Sequence, residues 1–303
     1  MSDLKRKKGI KLFLCLLPGL IYVFVFSYLP LWGLGYAFVE YVPGRKFLDS
    51  EFVGFNNFTM LFGNPILRKN IFQSLINTLG MNFLEIAIMP LNMMFAIFLS
   101  ELPGRKFKKV VQTASTLPHF ISWVIMFSLA TCLLSTTGLV NSVLMDIGMI
   151  EKPINILTTD KHVWITQTLI TIWKGMGWSS IVYFAAIAGI DQEQYDAAKV
   201  DGAGRMARIR YITIPHLIPT YIVLLVMQIG SMLSTGYDRY YIFRNAMNEK
   251  YITTFDLYIF NLGIGNGEIS LGTAVGGMKS IVAIILFSTA NYISKRIRGQ
   301  GIA

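Results

Sequence analysis

Six stretches of this chain are nearly free of charge, and no other feature limits its fold as strongly. Leu12–Val39, Val110–Met145 and Tyr211–Tyr237 contain no Asp, Glu, Lys or Arg. Asn70–Ser100, Val163–Ile190 and Ile269–Ser294 carry one charged residue each, namely Glu85, Lys174 and Lys279. A helix needs roughly 20 residues to cross a hydrocarbon layer about 30 Å thick, and every one of these stretches is longer. With 53% hydrophobic and 15% charged residues in 303 and a mean hydropathy of +0.52, the chain has too little charge to cover a water-facing globule. The expectation is an all-α integral membrane protein with six transmembrane helices near 12–38, 72–99, 109–134, 163–189, 217–236 and 273–294.

The basic residues orient these spans. With the N-terminus inside, the segments 1–11, 101–109, 191–216 and 295–303 hold 16 of the 27 Lys and Arg, and the longer segments 41–70, 136–162 and 236–272 hold 9. Positive charge concentrates on the cytoplasmic side of membrane proteins, so both termini and 191–216 are expected to be cytoplasmic. The net charge of +10 is then mostly topology. Because it is divided among four short segments, it gives no patch suited to nucleic acid.

The basic start followed by an apolar run also fits a signal peptide, but the run is too long for one and no small-residue cleavage site follows; an uncleaved first span is expected. Cys15 and Cys132 both fall within spans and read as packing residues with no disulfide. His119, His162 and His216 are scattered, and no zinc-protease, C-x-x-C or G-x-S-x-G pattern occurs. The nearest approach to a phosphate loop, GTAVGGMKS at 272–280, fails because Met278 separates glycine from Lys279. Its Gly272 and Gly276 read better as a close-packing face.

One segment breaks the apolar pattern. Tyr195–Pro215 reads YDAAKVDGAGRMARIRYITIP. Asp191 followed by Gln194 has the spacing of a capping box, with Glu193 in the first turn, so a short helix should begin at about Gln192. Gly202 interrupts it by supplying a turn with positive φ. A second helix is expected from Ala203 to about Ile212, with Met206 and Ile209 on one side and Arg205 and Arg208 on another. Pro215 and Pro219 are expected to stop it and open the next span. A bent, basic, small-residue element fixed to two membrane helices is suited to a partner's cleft.

The segment resembles the EAA loop of the membrane subunits of ABC importers, E-A-A-x-x-D-G-A followed after eight residues by I-x-L-P. Asp196, Ala197 and Ala198 fall on the EAA positions, Asp201, Gly202 and Ala203 on DGA, and Ile212, Ile214 and Pro215 on the closing motif. Asp196 for Glu and Ile214 for Leu depart from it. FVGFNNFTMLF at 52–62 with Asn77 and Thr78, and CLLPGLIYVFVFSYLPLWGLGYAF in the first span, are similar to the sugar-uptake, MalF/LplB-like permeases. The resemblance implies the type I ABC importer permease fold across 12–303, with 191–216 as the cytoplasmic coupling loop. It further implies a second permease subunit, two cytoplasmic ATPase subunits that alone bind ATP and Mg, an extracellular solute-binding lipoprotein and a carbohydrate or oligosaccharide substrate. The implied ATPase-coupling residues are Asp196, Ala197, Ala198, Asp201, Gly202, Ala203, Arg205, Met206, Ile209, Ile212 and Pro215. Such a chain sits in the bacterial cell membrane and is not itself an enzyme.

An ion-coupled secondary transporter is the alternative, but it calls for several intramembrane carboxylates or a repeat, and only Glu85 lies in a span. Glu85 with Trp173, Lys174, Trp178 and Tyr183 of the fourth span are candidates for a substrate path; the same aromatics also suit helix packing. Glu85 and Lys174, charged in mid-span, should face the protein interior or a watery cavity, with each other as possible partners. Segment 236–272 is too long and aromatic for a bare connector. The resemblance places the binding protein there, while folding back onto its own spans is the competing expectation.

Overall fold

The computed structural model describes residues 2–157 and 162–298. The chain is helical almost throughout, with a single two-stranded hairpin among the described residues. Contacts divide it into two compact units, Met1–Arg68 with Ile259–Lys279, and Lys69–Tyr258 with Ser280–Ala303.

In the first unit a helical run begins at Ser2 and continues as wider and then tighter turns to Phe38. Pro18 and Pro30 lie within the run, and proline removes a backbone donor. The antiparallel hairpin Val39–Glu40 with Glu51–Phe52 follows, and then the helix Asn56–Gly63. Asn57 Nδ2 donates to Ala37 O and Val39 O at 2.9 and 3.1 Å and fixes the end of the run. Asn261–Gly265 forms a π-helical turn in which Gly263 meets Gly272 of the last helix. A Cβ at Gly272 would lie 2.7 Å from the Gly263 Cα, so Gly272 serves close packing.

The second unit is built around the helix Val163–Ala188, 26 residues that match the expected fourth span almost end to end. Pro65–Ile88 and Pro90–Ser100 form the expected second span, interrupted at Met89 by Pro90. The expected third span is not one helix. Arg105–Thr116 passes into a tight turn at Leu117–Phe120, and a new helix, Trp123–Leu134, starts with Ser122 as its cap. Pro118 sits in that break. Gly177 lets the Val163–Ala188 helix approach there, because a Cβ on it would collide with the Ser115 backbone. The expected fifth span ends at Gly230, six residues early.

Five helical stretches among the described residues are long and apolar enough to cross a membrane: Gly9–Phe38, Pro65–Ser100, Trp123–Asp146, Arg205–Gly230 and Ile269–Tyr292. Val163–Ala188 has the length, but Lys174 and its several Gln, Ser and Thr dilute its apolarity. Large apolar side chains such as Phe13, Phe26 and Ile284 are more than half exposed, an arrangement that water would penalise and lipid accepts.

Most of segment 236–258 is folded and not a free loop. Tyr240, Phe243, Ile252, Phe255 and Leu257 are buried. Asn77 Nδ2 donates to Lys250 O and Thr253 O at 2.8 and 2.9 Å, and Thr78 Oγ1 accepts from Phe255 N at 2.8 Å. The folding-back expectation therefore holds for this part.

Candidate functional site

The bent element between Val163–Ala188 and the next membrane helix forms as its residues dictate. Asp191 Oδ1 accepts from Glu193 N at 3.0 Å and caps the helix Gln192–Val200. Gly202 has φ +77, and Ala203 N donates back to Ala198 O at 2.8 Å, the six-residue closure of a helix ended by a left-handed glycine. The second helix starts at Arg205. It is not stopped by Pro215: it widens into a π turn at Ile209–Thr213 and continues as Ile214–Gly230. The wider turn ahead of Pro215 accommodates a ring that would otherwise clash with a carbonyl of the preceding turn.

Three contacts hold this element in place. Tyr195 and Thr213 hydroxyls hydrogen-bond at 2.9 Å. Arg205 Nε donates to Glu101 Oε2 and Arg205 Nη2 to Glu101 O, both at 2.7 Å. Ile209 is buried in a cluster with Ala96, Ile97, Tyr183 and Leu217. Ile209 is thus part of the chain's own core, a correction to its place among partner-facing residues; i, i+3 spacing cannot tell one apolar neighbour from another. Asp196, Ala197, Asp201, Gly202, Met206 and Pro215 are exposed, Ala198, Ala203 and Ile212 partly so. Val200 and Met206 leave 89% and 70% of their surface uncovered, a small apolar face beside the Gly202 turn. Lys199 bonds Asp196 at 2.7 Å and holds its carboxyl below the ordinary range.

The mid-span charges do not pair with each other. Lys174 Nζ donates to the Pro118, His119 and Ile121 carbonyls at 3.2, 2.6 and 2.6 Å, and so satisfies the oxygens freed where Pro118 breaks the third span. Glu85 instead accepts from Arg239 Nη1 and Nη2 at 3.1 Å each. Arg239 also donates to Thr171 Oγ1 and to the Tyr240 hydroxyl. Trp123 lies under both cations, 5.2 Å from Lys174 Nζ and 5.5 Å from Arg239 Cζ. Sequence reasoning missed Arg239 because the charge-free run ends at Tyr237 and the residue fell to a connecting segment. The available signal was Glu85 itself, a lone carboxylate in a span that requires a cation.

Glu85 also lines a cavity of about 530 Å³ with Asn92, Thr171, Trp178, Gln228 and Ser231. Trp178 is half exposed and stacks on His119 at 4.5 Å between ring centres. Of the other path candidates, Trp173 is exposed but does not line this cavity, Lys174 is engaged with carbonyls, and Tyr183 is buried in the core. Tyr183 reaches the cavity wall without a partner for its hydroxyl.

Lys174→Met should lower the apparent Tm of the purified chain, because the part-buried carbonyls of His119 and Ile121 lose the ammonium, while Pro118 O keeps the Ile121 N–H. An unsatisfied buried group costs about 1–3 kcal/mol, and each kcal/mol corresponds to roughly 2–4 °C in a chain of this order of size. Thermal unfolding in detergent checks it. An unchanged Tm would mean that water replaces the ammonium and that Lys174 is not structural.

Residues 88–299, which include the bent element, match the family described as binding-protein-dependent transport system inner membrane component. The chain belongs to this family. It is 39% identical over 306 residues to protein LplB of Bacillus subtilis (strain 168), covering 100% of this chain and 93% of that one. It is also 39% identical over 293 residues to the polygalacturonan/rhamnogalacturonan transport system permease protein YteP of the same organism, covering 96% and 89%. Among solved structures it is similar to a chain of a bacterial alginate ABC transporter in complex with alginate pentasaccharide-bound periplasmic protein, with TM-score 0.85, 32% identity and 98% of both chains covered. This membrane transport component therefore has the expected all-helical fold of type I ABC importer permeases.

Proposed function

We propose that this chain is the membrane-spanning permease subunit of an ATP-driven importer of a carbohydrate or oligosaccharide. It forms half of the translocation path with a second permease. Two ATPase subunits bind ATP and Mg, one of them docking on 191–216, and an extracellular binding lipoprotein delivers the sugar. Both termini and the bent element are cytoplasmic in this reading, as the placement of the basic residues supports; 1–11 is the N-terminal segment and 12–303 the transport domain. The observation that carries the reading is the element itself, two short helices locked at 191–213 around Gly202 with Val200 and Met206 uncovered. ATP-driven closure of the ATPases would move it as a lever between inward- and outward-facing states. The carbohydrate substrate is supported by the relatives, a polygalacturonan/rhamnogalacturonan transport permease and a chain of an alginate transporter.

Within the path we assign Glu85, Trp178 and Tyr183 to the cavity wall, with Asn92, Gln228 and Ser231 as polar partners for hydroxyls. Lys174 serves carbonyl satisfaction, and Trp173, exposed and outside the cavity, has no part in the path. The test is uptake of radiolabelled oligosaccharides by proteoliposomes holding this chain, its partner permease, the ATPases and the binding protein. Uptake should require internal or external ATP on the ATPase side, and Trp178→Ala should lower it about tenfold, as expected from losing roughly 1–2 kcal/mol of aromatic contact. Uptake driven by a proton or sodium gradient without ATP would overturn the proposal.

A further inference from the structure

The beginning of the Arg105–Thr116 helix places a row of cations beside an apolar strip, and the function proposed above does not use it. Arg105, Lys106 and Lys109 are exposed. No acidic group among the described residues pairs with them, and the nearest carboxylate along the chain, Glu101, is engaged by Arg205 at 2.7 Å. At 100° per residue, these three side chains occupy one half of the exposed face and Phe107, Val110 and Ala114 the other. Phe107 and Val110 are 57% and 63% uncovered. Leu117, Phe120, Val124 and Ile125, which follow along the chain, are exposed as well, so exposed apolar residues lead from this helix to the membrane span that begins at Trp123. The fourth cation behaves differently: Lys108 turns inward and donates to Ser100 O at 2.5 Å.

We propose that this helix start is a binding surface for anionic phospholipid headgroups of the membrane that holds the chain. Basic side chains flanking an apolar strip at one depth suit the boundary between headgroups and acyl chains. Lys and Arg stems cover apolar surface while their charges reach the phosphates. An anionic headgroup adds an attraction that falls off within a Debye length. A soluble protein partner fits less well, because the same face carries apolar side chains and exposed apolar residues lead from it to the membrane span. The site depends on no particular cargo and needs no ATPase, so it stands or fails separately from the importer reading.

The test uses the full chain with Cys15→Ser, Cys132→Ser and Thr113→Cys, carrying a bimane on the new cysteine, which lies on the exposed face one turn beyond Lys109. In phosphatidylcholine nanodiscs, nitroxide-labelled phosphatidylglycerol should quench the bimane several-fold more strongly than nitroxide-labelled phosphatidylcholine at equal mole fraction. The preference should vanish in the triple variant Arg105→Gln, Lys106→Gln, Lys109→Gln and persist in Lys108→Gln. Without any mutation of these cations it should also vanish near 1 M salt, where the Debye length is about 3 Å. Equal quenching by both lipids in the unaltered basic segment, or an undiminished preference at high salt, would overturn the proposal. Full preference in the triple variant would show that these cations do not hold the headgroups and would equally overturn it.

Discussion

Gly202→Val should uncouple the importer while leaving the chain inserted and folded. Gly202 holds φ +77, and open space surrounds the position a Cβ would take, so the effect comes from the backbone and not from a clash. A β-branched residue in the left-handed region costs about 1–2 kcal/mol or more. The chain can avoid that cost by opening the turn, which breaks the Ala203-to-Ala198 bond and swings Gln192–Val200 away from Arg205–Arg208. Membrane insertion depends on hydrophobicity and flanking charge, which the change leaves alone. In a reconstituted complex, ATP hydrolysis stimulated by the loaded binding protein should fall at least about tenfold, since 1.4 kcal/mol is a factor of ten. Gly202→Asn, whose side chain tolerates the left-handed region, should recover most of the activity. Ala197→Asp should act like valine by placing a second carboxylate beside Asp196 on the docking face. Arg205→Lys should be mild: it keeps the charge and one contact to Glu101, and exposed pairs are worth about 0–1 kcal/mol. Normal stimulation and normal ATPase retention in both Gly202→Val and Ala197→Asp would remove this segment's role in coupling.

The contrast between Gly202 and Arg239 shows what a sequence of this kind exposes. Gly202 is legible because its neighbours specify the turn locally: a helix capped by Asp191, a glycine and a new helix start at Arg205 follow one another directly. The helix Val163–Ala188 is legible for a similar reason, since one contiguous stretch with a single charge and no proline sets its ends, although it is less apolar than the other spans. Arg239 is invisible to both methods, because its partner Glu85 lies 154 residues away and only the tertiary fold brings them together. The break at Pro118 escapes because a charge-free run is equally apolar whether it forms one helix or two. Its carbonyls are satisfied by Lys174, more than 50 residues on. Ile209 shows a further gap: amphipathic spacing identifies a buried side and says nothing of which chain buries it.

The Glu85–Arg239 pair gives the sharpest separation between the arrangement found and the pairing of Glu85 with Lys174 that mid-span charge alone suggests. Arg239 is buried and Glu85 is mostly covered, so neither ion is well hydrated. Removing one partner of a buried pair is expected to cost about 3–5 kcal/mol, because the other charge is left uncompensated. Arg239→Met should therefore sharply reduce the amount of folded chain recovered in detergent, and Glu85→Gln should do so to a similar degree. The double variant Glu85→Gln, Arg239→Met removes both charges and should be more stable than Arg239→Met alone. It should not match the wild type, since Thr171 and Tyr240 still lose the donor that Arg239 supplies. The cycle for Glu85 with Arg239 should give a coupling within the range of about 0.5–3 kcal/mol seen for residues in contact. The same cycle for Glu85 with Lys174 should give less, because Lys174 spends its three protons on carbonyls and shares with Arg239 only the face of Trp123. Thermal unfolding of the six proteins measures both cycles. Equal couplings, or a larger one for Lys174, would show that the carboxylate of Glu85 answers to Lys174 and that Arg239 owes its burial to Tyr240 and Thr171.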